Sequence, residues 1–159
     1  MRKILVVIDM QRDFIDGALG TAEARAIVPA VIEKIKGYAP ENVFATRDTH
    51  GEDYLNTQEG HYLPVKHCIR GTAGWELDEE IAALIPKDHI FDKGTFGSTE
   101  LAAAVKELTD ICVVSNALLL KASLPEVKIS VDPACCAGVT PEKHAAALET
   151  LRSCQVQCG

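Results

Sequence analysis

Apolar and polar positions alternate between two rhythms along this chain. Lys3-Ile4-Leu5-Val6-Val7-Ile8-Asp9-Met10 is a continuous β-branched run, the pattern of a strand buried on both faces of a parallel sheet. Asn42-Val43-Phe44-Ala45-Thr46-Arg47-Asp48, Asp88-His89-Ile90-Phe91-Asp92-Lys93 and Val127-Lys128-Ile129-Ser130-Val131-Asp132 predict three further strands, and Gln155-Val156-Gln157 a last edge strand. Helical spacing takes over between them. Thr21 to Tyr38 reads as mainly helical, with Val28, Val31, Ile32 and Ile35 on one face and Pro29 opening the main helix. Asp78 to Leu84 predicts a short helix, and Glu100 to Leu108 another, capped by Ser98 or Thr99. Thr109-Asp110 begins a buried helix that carries Cys112 in its first turn and the apolar run to Ala122. Thr140-Pro141-Glu142 opens a last helix that runs to about Ser153. Thr49 to Gly74 is a long polar loop, a length that in a compact domain is functional or disordered. Strand–helix alternation of this kind predicts an α/β fold, with an open, mainly parallel sheet and helices on both faces, in a single domain over residues 1–159.

Composition narrows the class. With 159 residues, 47% hydrophobic and 25% charged, the chain is long enough for one substantial core. A net charge of −7 argues against nucleic acid or an anionic membrane as the main partner. No stretch approaches the roughly 18 apolar residues of a membrane span. The first strand begins so early that no room is left for a signal peptide. Six cysteines without secretory context read as reduced, cytoplasmic thiols; Cys68, Cys135, Cys136, Cys154 and Cys158 lack CxxC zinc spacing and read as structural.

Candidate chemistry gathers at strand ends. Asp9 and Lys93 each close a strand-like run, and Cys112 sits where the positive end of a helix dipole favours a thiolate. Open α/β sheets bind ligands at that rim. A cysteine nucleophile needs a base for its proton, and a cation lowers the pKa of thiol and carboxylate alike. A second group follows in the polar loop: Asp48 and His50 two positions apart, then Glu59 and His67, with Glu52 and His61 as spare candidates. Carboxylate and imidazole together suit zinc, manganese or iron. On spacing alone the same residues are also a polar surface loop with incidental histidines.

Five stretches carry a family resemblance: Ile8-Asp9-Met10-Gln11-Arg12-Asp13-Phe14, Thr46-Arg47-Asp48-Thr49-His50, His67-Cys68-Ile69-Arg70-Gly71-Thr72, Phe91-Asp92-Lys93-Gly94 and Thr109-Asp110-Ile111-Cys112-Val113. In this order the chain resembles the isochorismatase-like cysteine hydrolases, and among them the nicotinamidases and related amidases. The resemblance implies a three-layer, Rossmann-like fold and an Asp9–Lys93–Cys112 triad. It also implies an oxyanion hole from the backbone N–H groups of Leu108 and Cys112, and Phe14 lining the ring pocket. A divalent metal ion would be held by Asp48, His50 and His67, with Glu59 as fourth protein ligand. The substrate would be nicotinamide or another small amide or carbamoyl compound, and the assembly a homo-oligomer. The chain departs from the family pattern in one place. Cys112 follows Lys93 by only 19 positions, and Ala104-Val105-Lys106-Glu107-Leu108 stands where an apolar strand should lead into the cysteine turn. Either residues 100–108 form that strand instead of a helix, or roughly a dozen residues, a linker plus a strand of about 4–8, are absent, or the chain is a damaged copy without activity.

Overall fold

The computed structural model describes residues 4–104, 110–123, 128–136 and 140–159. Three parallel strands form its main sheet: β1 (Leu5–Ile8), β2 (Val43–Asp48) and β3 (Ile90–Lys93), with β2 in the middle. Ile8 lies opposite Thr46 and Lys93 opposite Asp48, so the three strand ends come level at one rim. Helices α1 (Arg12–Ile15) and α2 (Ala22–Lys36) follow β1, and α3 (Gln58–Tyr62) and α4 (Glu79–Ala82) lie between β2 and β3. After β3 come α5 (Thr99–Ala104) and α6 (Asp110–Ser123). The chain ends with β4 (Ser130–Val131), α7 (Pro141–Ser153) and β5 (Gln157–Cys158), and β4 and β5 form a second parallel pair.

Successive side chains of a strand point to opposite faces, and β1 shows how this divides the core. Val7 is buried against Val31, Ile32 and Ile35 of α2, together with Ile81 and Ile85. Ile8 faces the other way and packs on a cluster of Ala117, Leu120, Ile129, Val131, Leu148 and Leu151. Both faces of the parallel sheet are therefore covered, as the alternation predicts.

Several boundaries differ from the pattern, each for a local reason. Thr21, not Pro29, opens α2: its hydroxyl caps the Ala24 N–H, and Pro29 sits inside the helix at the cost of one backbone donor. The polar stretch 49–74 is not all loop, because Thr57 caps α3 through the Gly60 N–H and short 3₁₀ turns cover Tyr54–Asn56 and Ala73–Trp75. Ser98 is the cap of α5, accepting from the Leu101 N–H; the predicted continuation through Leu108 lies outside the described residues. The last strand falls at Gln157–Cys158, two positions later than predicted, because Gln155 adopts a left-handed φ of 65° that ends the preceding turn. Among the described residues, no strand stands between β3 and α6, and the main sheet and the β4–β5 pair are not joined. No helix of the described residues is long and apolar enough to cross a membrane.

Candidate active site and metal centre

Asp9 is the first residue beyond β1 and turns the chain with a left-handed φ of 49°. Its N–H still reaches the Thr46 carbonyl oxygen at 3.2 Å, continuing the ladder by one bond. The Thr46 hydroxyl, fully buried, donates to Asp9 Oδ1 at 2.6 Å. The other carboxylate oxygen, Oδ2, lies 2.7 Å from Lys93 Nζ. Lys93 also approaches Asp48 Oδ1, at 3.5 Å, as follows from their facing positions on neighbouring strands. A buried ammonium thus lies between two buried carboxylates.

Asp48 belongs equally to a second cluster. Asp48, His50, Glu59 and His67 each offer one ligand atom, and these atoms all lie within 4.8 Å of one another. His50 Nε2 is 2.9 Å from Asp48 Oδ2 and 3.8 Å from Glu59 Oε1; His67 Nε2 is 3.7 Å from Asp48 Oδ2. His67 Nδ1 sits 2.8 Å from the Val65 carbonyl oxygen. A carbonyl only accepts, so Nδ1 carries the proton and Nε2 presents its lone pair to the cluster, an arrangement usual for metal-binding histidines. His50 Nε2 is buried, with the Asp48 carboxylate as its one neighbour at hydrogen-bonding distance among the described residues. Two imidazole nitrogens and two carboxylates converging on one point are a donor set that fits a divalent cation. Glu52 and His61 stay outside: both are exposed, and Glu52 pairs with Lys66.

The charges tune one another. Burial would raise the Asp48 carboxyl, but the hydrogen bond from His50 and the nearby Lys93 and His67 hold it below the usual carboxylate range. His50 is pushed up, chiefly by Asp48. Cys68 is fully buried at a left-handed φ of 46°; desolvation, then the Asp48 and Asp13 charges, push its thiol far up, which makes it an inert neighbour.

Aromatic rings wall this cluster. Tyr54 is fully buried, with its ring centre 4.6 Å from that of His50 and 4.9 Å from that of His67. Its hydroxyl donates to the Leu63 carbonyl. Phe14 meets the His67 ring edge-on at 5.5 Å. Asp9, Phe14, Asp48, Glu59 and His67 all line one cavity of about 440 Å³, a size that takes a small organic molecule.

Five of the seven polar residues singled out from sequence therefore meet their expected neighbours through the rim of β1–β3 (Asp9, Asp48, His50, His67 and Lys93), and Glu59 reaches the same point from α3. Cys112 lies in the first turn of α6, as expected; its side chain, and Leu108 altogether, lie outside the described residues. Thr46, Gln11 and Tyr54 are buried parts of the site that sequence reasoning passed over. Gln11 had a signal, as it stands inside one of the resembling stretches.

The sequence matches the isochorismatase domain over residues 3–159. No protein of curated function matches it. Among solved structures, it is similar to the pyrazinamidase of Pyrococcus horikoshii in complex with zinc. The identity is 27% and the TM-score 0.78, covering 100% of this chain and 99% of that one. It is also similar to the pyrazinamidase/nicotinamidase of Streptococcus mutans (26% identity, TM-score 0.80, 99% and 100% covered). The fold is shared with N-carbamoylsarcosine amidase of Thermoplasma acidophilum (21% identity, TM-score 0.71, 99% and 95% covered). The whole-length match to the domain, on a parallel sheet with these rim residues, means that the chain belongs to the isochorismatase-domain family of hydrolases.

Proposed function

We propose that the protein is an amidohydrolase that converts nicotinamide to nicotinic acid and ammonia through a thioester on Cys112. The observation that carries this reading is that the Lys93-paired Asp9 and three members of the ligand cluster, Asp48, Glu59 and His67, line one cavity. Asp48, His50, Glu59 and His67 would hold a divalent metal ion, zinc being the choice suggested by the P. horikoshii relative. Such an ion supplies a Lewis acid that binds and orients a pyridine nitrogen.

The chain's own groups divide the remaining work. Asp9 takes the Cys112 thiol proton, and the thiolate adds to the amide carbonyl carbon. As the C–N bond breaks, Asp9 returns that proton to the departing nitrogen, which leaves as ammonia. Water, giving a proton to Asp9, then adds to the thioester; the C–S bond breaks, the acid leaves and the thiol recovers its proton. Lys93 pairs with Asp9 Oδ2, and the Thr46 hydroxyl holds Oδ1, so the carboxylate is fixed in place. Backbone N–H groups of Leu108 and Cys112 serve as the oxyanion hole. Phe14 packs against the substrate ring.

A second reading is favoured by the short segment before Cys112: a non-catalytic small-molecule binding protein on the same fold. Only residues 105–109 stand between α5 and α6. Ammonia release from nicotinamide, with Cys112→Ala as control and the intact mass of the same preparation, separates the two. Cys112-dependent ammonia supports the amidase. No ammonia from a protein of the stated sequence overturns it in favour of the binding protein.

A further inference from the structure

We infer that Gln11 is a positioning residue for the metal centre, holding Asp48 in place through a side-chain amide that replaces a missing piece of β-ladder. This rests on the metal reading given above. The ladder between β1 and β2 ends at the bond from the Asp9 N–H to the Thr46 carbonyl. Beyond it the main chain turns away. The Gln11 N–H closes back on the Asp9 carbonyl at 2.7 Å, and Gln11 itself bridges to Leu77 on the opposite side. The next pair of polar groups on that edge of β2, the N–H and C=O of Asp48, would then be left inside the protein without partners. An unpaired buried peptide group is costly.

The Gln11 carboxamide takes their place. The Asp48 N–H donates to Gln11 Oε1 at 2.7 Å, and Gln11 Nε2 donates back to the Asp48 carbonyl at 2.8 Å. The second proton on Nε2 goes to the Trp75 carbonyl at 2.7 Å. Gln11 is fully buried, so none of these bonds competes with water. The side chain acts as a surrogate peptide group: one acceptor and one donor in a plane, matched to one N–H and one C=O. Only an amide does this. A carboxylate of the same shape would set oxygen against two carbonyl oxygens, and an apolar side chain would satisfy none of the three groups. Asp48 is the residue whose carboxylate serves both Lys93 and the two histidines, so a tilt of its backbone moves one oxygen off the cation and the other off the ligand cluster. Gln11 touches neither substrate nor ligand atoms; it acts through Asp48.

The test is the zinc dissociation constant, measured by competition with a chromogenic chelator, for wild type, Gln11→Glu, Gln11→Met and Ile35→Val. Ile35 is a buried core residue packed with Val7, Val31 and Ile81 and is not one of the cluster residues, so its variant reports a general loss of stability. Groups that orient a metal ligand are typically worth about 10–100-fold in affinity. The expected result is a rise of that size in both Gln11 variants, no change in Ile35→Val, and an altered visible absorption of the cobalt(II)-substituted protein. Affinities within about twofold of wild type, or an equal loss in Ile35→Val, overturn the assignment. A second measurement needs no variant: the side-chain NH₂ resonances of Gln11 in wild type should shift in step with zinc added. Zinc that binds without moving them overturns the assignment even if neither variant folds. A wild type that binds no zinc instead overturns the metal reading itself.

Discussion

Replacing Lys93 by Met keeps the length of the side chain and removes the charge that holds two buried carboxylates together. At an effective dielectric of about 20, a contact of 2.7 Å to Asp9 amounts to roughly 6 kcal/mol of gross attraction, and one of 3.5 Å to Asp48 to roughly 5. Much of that offsets the desolvation of the three ions. The net loss on removing one partner of a buried pair is therefore smaller, about 3–5 kcal/mol, most of it the penalty of charges left unpaired. For a domain of this length each kcal/mol lowers Tm by about 2–4 °C, so Lys93→Met should melt roughly 6–20 °C below wild type. The assay is thermal and urea unfolding at pH 7 with a chelator present, so that no bound cation compensates Asp48. A second substitution sharpens it. Asp9→Asn in the Lys93→Met background removes one of the stranded charges and should recover part of the loss, while amidase activity stays absent. A Lys93→Met protein within about 1 kcal/mol of wild type would refute the reasoning, as would an Asp9→Asn change that adds to the loss.

Two other perturbations follow from local geometry. A Cβ on Gly60 would clash with the Tyr54 carbonyl oxygen, so Gly60→Ala must push α3, and Glu59 with it, away from the cluster. It should cost about 1–3 kcal/mol in urea unfolding and weaken zinc binding together, whereas an unchanged zinc affinity would show that Glu59 is not a ligand. The Lys34–Asp132 pair, at 2.7 Å, joins α2 to the turn after β4 with both side chains more than a third exposed. The Lys34 hydrogen bond, against some desolvation, depresses the Asp132 carboxyl, and the Asp132 hydrogen bond raises Lys34. A depressed carboxyl stabilises above its unfolded pKa and loses that contribution as pH falls through the folded one; a raised amine loses its contribution as pH rises through its own. Asp132→Asn should therefore lower stability by under about 1 kcal/mol across neutral pH, and the difference from wild type should close below about pH 4. A difference that persists in acid would point to lost packing instead.

Strand ends were legible in the sequence because a β-branched run that stops at a charged residue states both where the strand ends and what it presents. Asp9, Asp48 and Lys93 were found that way, and the register that brings their ends level follows from parallel pairing. Glu59 was harder. Gln58-Glu59-Gly60-His61-Tyr62 has no apolar period, and the helix exists only because Thr57 caps it and Tyr54 packs beneath Gly60. Thr46 and Gln11 were missed for a different reason. Their roles are hydrogen bonds across the sheet, between residues 37 positions apart, and no local pattern records a partner at that distance. Pro29 misled because its preference for a first helical turn is a tendency, and packing of Val31, Ile32 and Ile35 against β1 outweighs one lost donor.

The site divides along the same line as the fold. Every member of the ion-paired and ligand clusters comes from residues 9–93, carried on β1, β2, β3 and the segments between them, a unit with its own core. Cys112 comes from beyond β3, on the helix whose core partners are α7, β4 and β5. Within the described residues the two sheets have no strand in common, and the packing of Ile8 on the second cluster is one contact that links them. The candidate metal ligands therefore all lie in the first part, whereas the proposed turnover also needs Cys112 from the second. A single Cys112 Sγ placed about 1 Å from its productive position can cost on the order of 10²-fold in rate. Tight zinc binding with slow hydrolysis is the outcome expected if the short segment before Cys112 misplaces its thiol, and unimpaired hydrolysis would refute it.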